Sequence, residues 1–366
     1  MLLLFPGPWL HSAAHRRPAS QTPDPVMKAH SPSSAVSRRR FVRQVAHGAA
    51  WVGAAAYTRD RAHAADANPF AYDVKRFSQT DPKLIGWRET ARRSCPVKDA
   101  RRLALAPDDS ILVAAGTQVV RWTASGERPS LELGAPVRCV GVAPDGLFFV
   151  GLTDRIAVFD AAGRRQADWP SPGPKTWFTG FAITANEVFA ADSGQRLVWR
   201  YDRTGRVLGR IGVRDSKRNV PGLVLPSPFL DVRLHPDGLL RVNNTGRHRV
   251  EAYTVEGDFE LAWGEPSAAI HGFCGCCNPI GLALLADGRT VTCEKGLPRV
   301  KVHRPDGSLE SVVAGTETFA ENARQCGNPG NCTRGGLDVA VDSRGRILIL
   351  DRATGEVRTM EPIAPA

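Results

Sequence analysis

One pattern returns six times along this chain: alternating apolar residues, a tight turn, then a second apolar run. The copies fall at 103–113, 140–150, 181–192, 232–242, 282–292 and 339–349. Three of the turns are Asp-Gly, at Asp145-Gly146, Asp237-Gly238 and Asp287-Gly288. Asp-Gly between alternating apolar runs is a strong hairpin signal. A second turn follows most copies, at Ser125-Gly126, Ala162-Gly163, Thr204-Gly205, Glu256-Gly257 and Asp306-Gly307. Two hairpins per copy make four strands, and six such units cannot each bury a face alone. The pattern predicts an all-β fold, a six-bladed β-propeller of four-stranded antiparallel blades.

The Pro-Asp-Gly turns and the loop Ala191-Asp192-Ser193-Gly194 resemble the NHL-repeat family of propellers. The resemblance runs from about residue 97 to 362 and implies the fold without naming a chemistry, because such propellers serve many roles. The sixth copy supplies three strands and stops at 356–360. An open edge there is an aggregation hazard. The stretch 83–87, Lys-Leu-Ile-Gly-Trp, is therefore expected to complete the last blade. The chain divides into a signal region at 1–64, a segment with the closing strand at 65–96, and the propeller at 97–362.

Ser37-Arg38-Arg39-Arg40-Phe41-Val42-Arg43 resembles a twin-arginine export signal. An apolar small-residue stretch at 45–57 follows, then a small-x-small cleavage site at Ala62-His63-Ala64. The stretch is too short and weakly apolar to span a bilayer, which takes about 20 residues. Met27-Lys28 would open such a signal normally, so Met27 is the expected start. The resemblance implies an exported, periplasmic protein with no stable membrane span. The chain carries a formal net charge of +11. Residues 1–64 hold nine Lys/Arg and two Asp/Glu, and without them the net charge is +4. Neither that charge nor any base-stacking motif makes a case for nucleic acid. A monomer is expected.

Six of the eight cysteines cluster late in the chain, at Cys274, Cys276, Cys277, Cys293, Cys326 and Cys332. Strand order places them on one propeller face around blade five, with Cys95 on the same face and Cys139 near the channel mouth. Three uses are open. The thiolates can hold a metal or iron–sulfur cluster, although the spacing matches no standard run. They can form disulfides in an oxidising compartment. They can act as a redox pair. His271 can serve as a mixed ligand or sit solvated in its loop. Glu294 and Lys295 can act as acid–base groups or as a solvated pair. Asp231 and Asp338 open inner strands, where they can hold a divalent cation or cap backbone amides. His235, His248 and His303 carry no catalytic signal. The leading expectation is a binding or redox-associated module, with a protein partner or small ligand on the cysteine face. The alternative is a lyase- or hydrolase-type enzyme using a divalent cation at the channel mouth.

Overall fold

The computed structural model describes residues 75–153, 155–319 and 335–363. Within them, six four-stranded antiparallel sheets form the blades of a propeller. The inner strands, from blade one to blade six, are Ala100–Leu105, Cys139–Val142, Phe178–Ile183, Val232–Leu234, Gly281–Leu284 and Leu337–Val341. Each packs beside the next, and the sixth meets the first, so the ring closes.

The repeated turn explains its own sequence. In blade two, Ala143 and Leu147 close the hairpin by an N–H to carbonyl bond of 2.8 Å. The Asp145 carboxylate accepts the Leu147 N–H at 3.2 Å. Gly146 sits at φ +84°, a left-handed conformation that glycine adopts without steric penalty. The Asp237-Gly238 turn of blade four repeats the arrangement, with Leu239 N–H on Asp237 at 2.9 Å and Gly238 at φ +85°. Blade three lacks the dipeptide. There Thr184 Oγ1 accepts the N–H groups of Asn186 and Glu187 at 3.2 and 2.9 Å. A hydroxyl thus does the work of the aspartate.

The core lies between blades. Val291, Val300 and Val302 of blade five pack with Ile347, Ile349 and Val339 of blade six. Phe149 and Trp169 of blade two pack with Val188 and Tyr201 of blade three. Burial is greatest on the three inner strands and fades at the outer one.

Blade six is completed by an N-terminal strand, as expected, but by residues further on. Trp87–Ser94 pairs antiparallel with Glu356–Pro362. Of residues 83–87 only Trp87 belongs to that strand: Pro82–Leu84 is a 3₁₀ turn, and Ile85 makes a parallel bridge to Val312 of blade five. Of the closing strand, only Trp87 is buried. The export-signal residues Ser37, Arg38, Arg39 and Phe41 lie outside the described residues, as do Cys326 and Cys332. Among the described residues, no helix is long and apolar enough to cross a membrane.

Candidate binding site at the channel mouth

The propeller axis is bolted by charge. Arg102, on the innermost strand of blade one, is 7% exposed. Its guanidinium pairs with Asp338 of blade six at 2.9 Å and with Asp231 of blade four. Both carboxylates also cap backbone. Asp338 accepts Leu103 N–H at 2.7 Å, and Asp231 accepts Leu282 N–H and Val232 N–H, both at 2.8 Å. Arg233 adds a second cation to Asp231 at 2.5 Å. Burial opposes the Arg102 charge, but the two carboxylates prevail and raise its pKa. Room for this cluster depends on Gly180. A Cβ there would lie 2.8 Å from Asp231 Oδ1 and 2.9 Å from Arg102 Nη2. Asp231 and Asp338 thus meet on the axis, and the space between them holds a guanidinium.

Above this bolt the channel opens into a funnel of about 400 Å³. Blades six, one and two supply Arg352, Arg101, Arg102 and Arg138. Blades three, four and five supply Trp177, Phe229, Leu230 and Ile280. Arg138 stacks on the Trp177 ring, 3.8 Å from its centroid. Arg352 lies 4.9 Å from the Phe229 centroid, and Lys295 covers the same ring at 4.5 Å. Stacking occupies the guanidinium face and leaves its N–H edge for a ligand. Arg101 is held by Asp99. Arg138 and Arg352 have no carboxylate partner among the described residues, and the buried Nε of each lacks a hydrogen-bond acceptor. Burial draws the Arg352 pKa down to about 10, which leaves it cationic at neutral pH.

The described cysteines do not converge into the thiolate centre expected from the sequence, and Cys326 and Cys332 of that cluster lie outside the described residues. Cys95, Cys139, Cys274, Cys277 and Cys293 are free thiols. Among the described residues, no three metal-ligating side chains converge. The reason is strand direction. Cys293 ends the second strand of blade five, turned into the channel wall, where its Sγ donates to Leu337 O at 3.3 Å. Cys139 lies in the same wall of blade two, packed on Gly151. Cys274, Cys276 and Cys277 stay together in their loop, with the sulfurs of Cys276 and Cys277 3.1 Å apart. Cys95 sits by Gly355, to which its N–H donates. Burial pushes the Cys139 thiol up to about 12 and also raises Cys293, Cys274 and Cys95, so these four are protonated at neutral pH.

Glu294 and Lys295 are not a solvated pair. Glu294 is fully buried, bonded to Arg299 at 2.7 and 3.0 Å and to Lys301 at 3.0 Å. The carboxylate also accepts Cys274 N–H at 3.1 Å. Arg299 and Lys301 continue to the carbonyls of Ala268, Ile270 and Gly272, so one buried carboxylate ties down the cysteine loop. Lys295 is buried as well, its ammonium over the Phe229 ring and donating to Ser227 Oγ at 3.2 Å. His271 pairs with Glu265 at 3.1 Å on the exposed side of the loop.

His303 lies behind this cluster and gives it an acid limit. Its ring packs on Trp263 with centroids 4.7 Å apart and bonds Thr292 Oγ1 at 3.1 Å. Burial, then the neighbouring Lys301 charge, lowers its pKa to about 3. An unfolded histidine takes up a proton near pH 6.5, whereas the folded one does not. The unfolded state therefore binds more protons, and stability falls as pH drops from about 6.5 toward 3. Between pH 6.5 and 4.5 this group should remove about 2–3 kcal/mol. In urea titrations across that range, His303→Gln should lose less stability than the wild type; parallel slopes would contradict the assignment.

The fold and site define a class: a six-bladed propeller with a charged funnel at one mouth. Solved structures similar to the chain include a streptogramin B lyase, at TM-score 0.53 and 12% identity, covering 76% of this chain and 97% of that one. Another is virginiamycin B lyase from Staphylococcus aureus, at TM-score 0.51 and 11% identity, over 76% of this chain and 100% of the other. A structural-genomics protein of unknown function from Bacteroides thetaiotaomicron matches at TM-score 0.52 and 16% identity, over 76% and 74% of the two chains. At such identities the likeness shows the fold alone. No family model matches the chain, and no curated protein does.

The funnel arginines were not picked out in the sequence. They are separated by 36 positions or more, apart from Arg101 and Arg102, and lie among 48 lysines and arginines. The signal that could have found them is their place in the repeat. Arg101, Arg138, Trp177, Phe229 and Ile280 all lie at or just before the start of an inner strand.

Proposed function

We propose that this protein is an exported NHL-type propeller that binds a small anionic ligand in the funnel. The carrying observation is the pair Arg138 and Arg352, which line a cavity of about 400 Å³ and have no carboxylate partner among the described residues. Half-buried guanidinium groups that no described carboxylate neutralises are apt to take an anion, which supplies charge-assisted hydrogen bonds. The described lining residues include no carboxylate, histidine or thiol to act as base or nucleophile, which favours binding over catalysis. The twin-arginine-like run Ser37-Arg38-Arg39-Arg40-Phe41 supports export, and the repeated Pro-Asp-Gly turns support the NHL kinship.

Calorimetric titration with phosphate, sulfate, acetate and citrate tests the reading. At least one should bind, more weakly at high salt. Arg138→Gln and Arg352→Gln should each weaken it about ten- to hundredfold, as befits loss of a charged hydrogen bond. Among the described residues no carboxylate pairs with either arginine, so both variants should lose only the ring contact and melt within a few degrees of the wild type. An absence of binding across the panel would refute the proposal.

A further inference from the structure

The funnel is two-sided, and the sides differ in chemistry. Blades six, one and two present guanidinium groups, whereas blades three, four and five present Trp177, Phe229 and Ile280. An inorganic anion would use only the first half. It would leave the partly exposed Trp177 indole and Pro228, with the narrow margins of the buried Phe229 and Ile280, facing water in a concave site, where apolar surface commonly meets a ligand. From this division we infer that the ligand is amphipathic: an acidic head group joined to a flat apolar body. The head lies against Arg138 and Arg352, and the body lies on Trp177, Phe229 and Ile280. This rests on the anion-binding reading and narrows it.

The two halves are physically joined. Arg138 stacks on Trp177 at 3.8 Å, and Arg352 approaches Phe229 at 4.9 Å. Each acid-binding group is thus fixed by the ring that would receive the adjoining apolar part. An acid and an aryl group separated by a bond or two reach both partners without distortion. Thr179, whose hydroxyl already donates to Leu230 O at 2.7 Å, retains lone pairs for a donor on the ligand. Trp177 and Thr179 are only partly buried, which leaves their ligand-facing edges open.

The test compares matched probes on the intact chain: inorganic phosphate against phenyl phosphate, and acetate against phenylacetate, by calorimetry and tryptophan fluorescence. The aryl member of each pair should bind at least about tenfold more tightly, since ring burial adds to the same ionic contact. Trp177→Ala should remove most of that advantage, bringing the affinities within each pair to within about threefold of one another, whatever it does to phosphate itself through Arg138. Phe229→Leu, which keeps bulk, serves as the second variant should Trp177→Ala fold poorly, and it should halve the advantage or more. Equal affinities within each pair would overturn the inference while leaving the anion site standing. Binding of none of the four probes would overturn the inference together with the reading beneath it.

Discussion

Arg102→Met should destabilise the protein by about 3–5 kcal/mol, the cost of breaking a buried ion pair on one side. Asp231 and Asp338 are 0% and 1% exposed, and Arg102 bridges them across the channel. Methionine replaces the stem and leaves two carboxylates near one another with Arg233 as the remaining cation. Burial already raises the Asp338 pKa against the pull of Arg102. With that pull gone, Asp338 holds its proton to higher pH still than it does unfolded. A group whose folded pKa is raised adds stability at low pH and loses it as pH climbs. The loss should therefore be smaller at pH 5 than at pH 7.5. Chemical denaturation at the two values measures it. A deficit under about 1 kcal/mol, or one indifferent to pH, would mean that Arg102 is not the axial bolt.

The second large effect lies in the buried cluster under the cysteine loop. Glu294→Gln keeps the shape and the acceptor for Cys274 N–H but removes the carboxylate shared by Arg299 and Lys301. Both cations are almost fully buried, so the expected loss is again about 3–5 kcal/mol. Burial already lowers the Lys301 pKa to about 8. Without Glu294 it should fall further, and the folded state would bind fewer protons than the unfolded one up to about pH 10.5. Stability then rises with pH, so the deficit should shrink between pH 7 and 9. Hydrogen exchange should quicken at Ala269, Gly272 and Phe273, in the loop gripped by the two side chains. Unchanged exchange there would contradict the anchoring role.

The fold was legible because its signals are local. Asp-Gly turns and apolar alternation recur wherever an inner hairpin is half buried, and the six hairpins came out in register. The closing strand was misplaced because an outer strand, exposed on both sides, shows no alternation. Trp87–Ser94 reads Trp-Arg-Glu-Thr-Ala-Arg-Arg-Ser, while the apolar Leu84-Ile85 next to it drew the eye. The site was less legible for a related reason. Cysteines are rare enough to stand out, yet Cys293 and Cys139 belong to the channel wall and not to a ligand cluster. Arginines are common, and nothing in the residues around Arg138 or Arg352 marks them as unpaired. Glu294 looked like a loop acid because its partners, Arg299 and Lys301, lie beyond a turn whose path the sequence does not draw.

The pairing of Trp87–Ser94 with Glu356–Pro362 has a bearing on how the molecule is made. Five blades are assembled from continuous chain and can form as it is synthesised. The sixth joins segments from opposite ends of the described chain, so its outer strand must wait, unpaired, until residue 362 is available. Such a long-range contact is slow to form, because the loop must close before any reward arrives. The exposed, charged character of Trp87–Ser94 suits that wait: Arg88, Glu89, Arg92 and Arg93 keep a lone strand edge in solution. Polarity that makes this strand hard to recognise is thus what protects the unfinished ring.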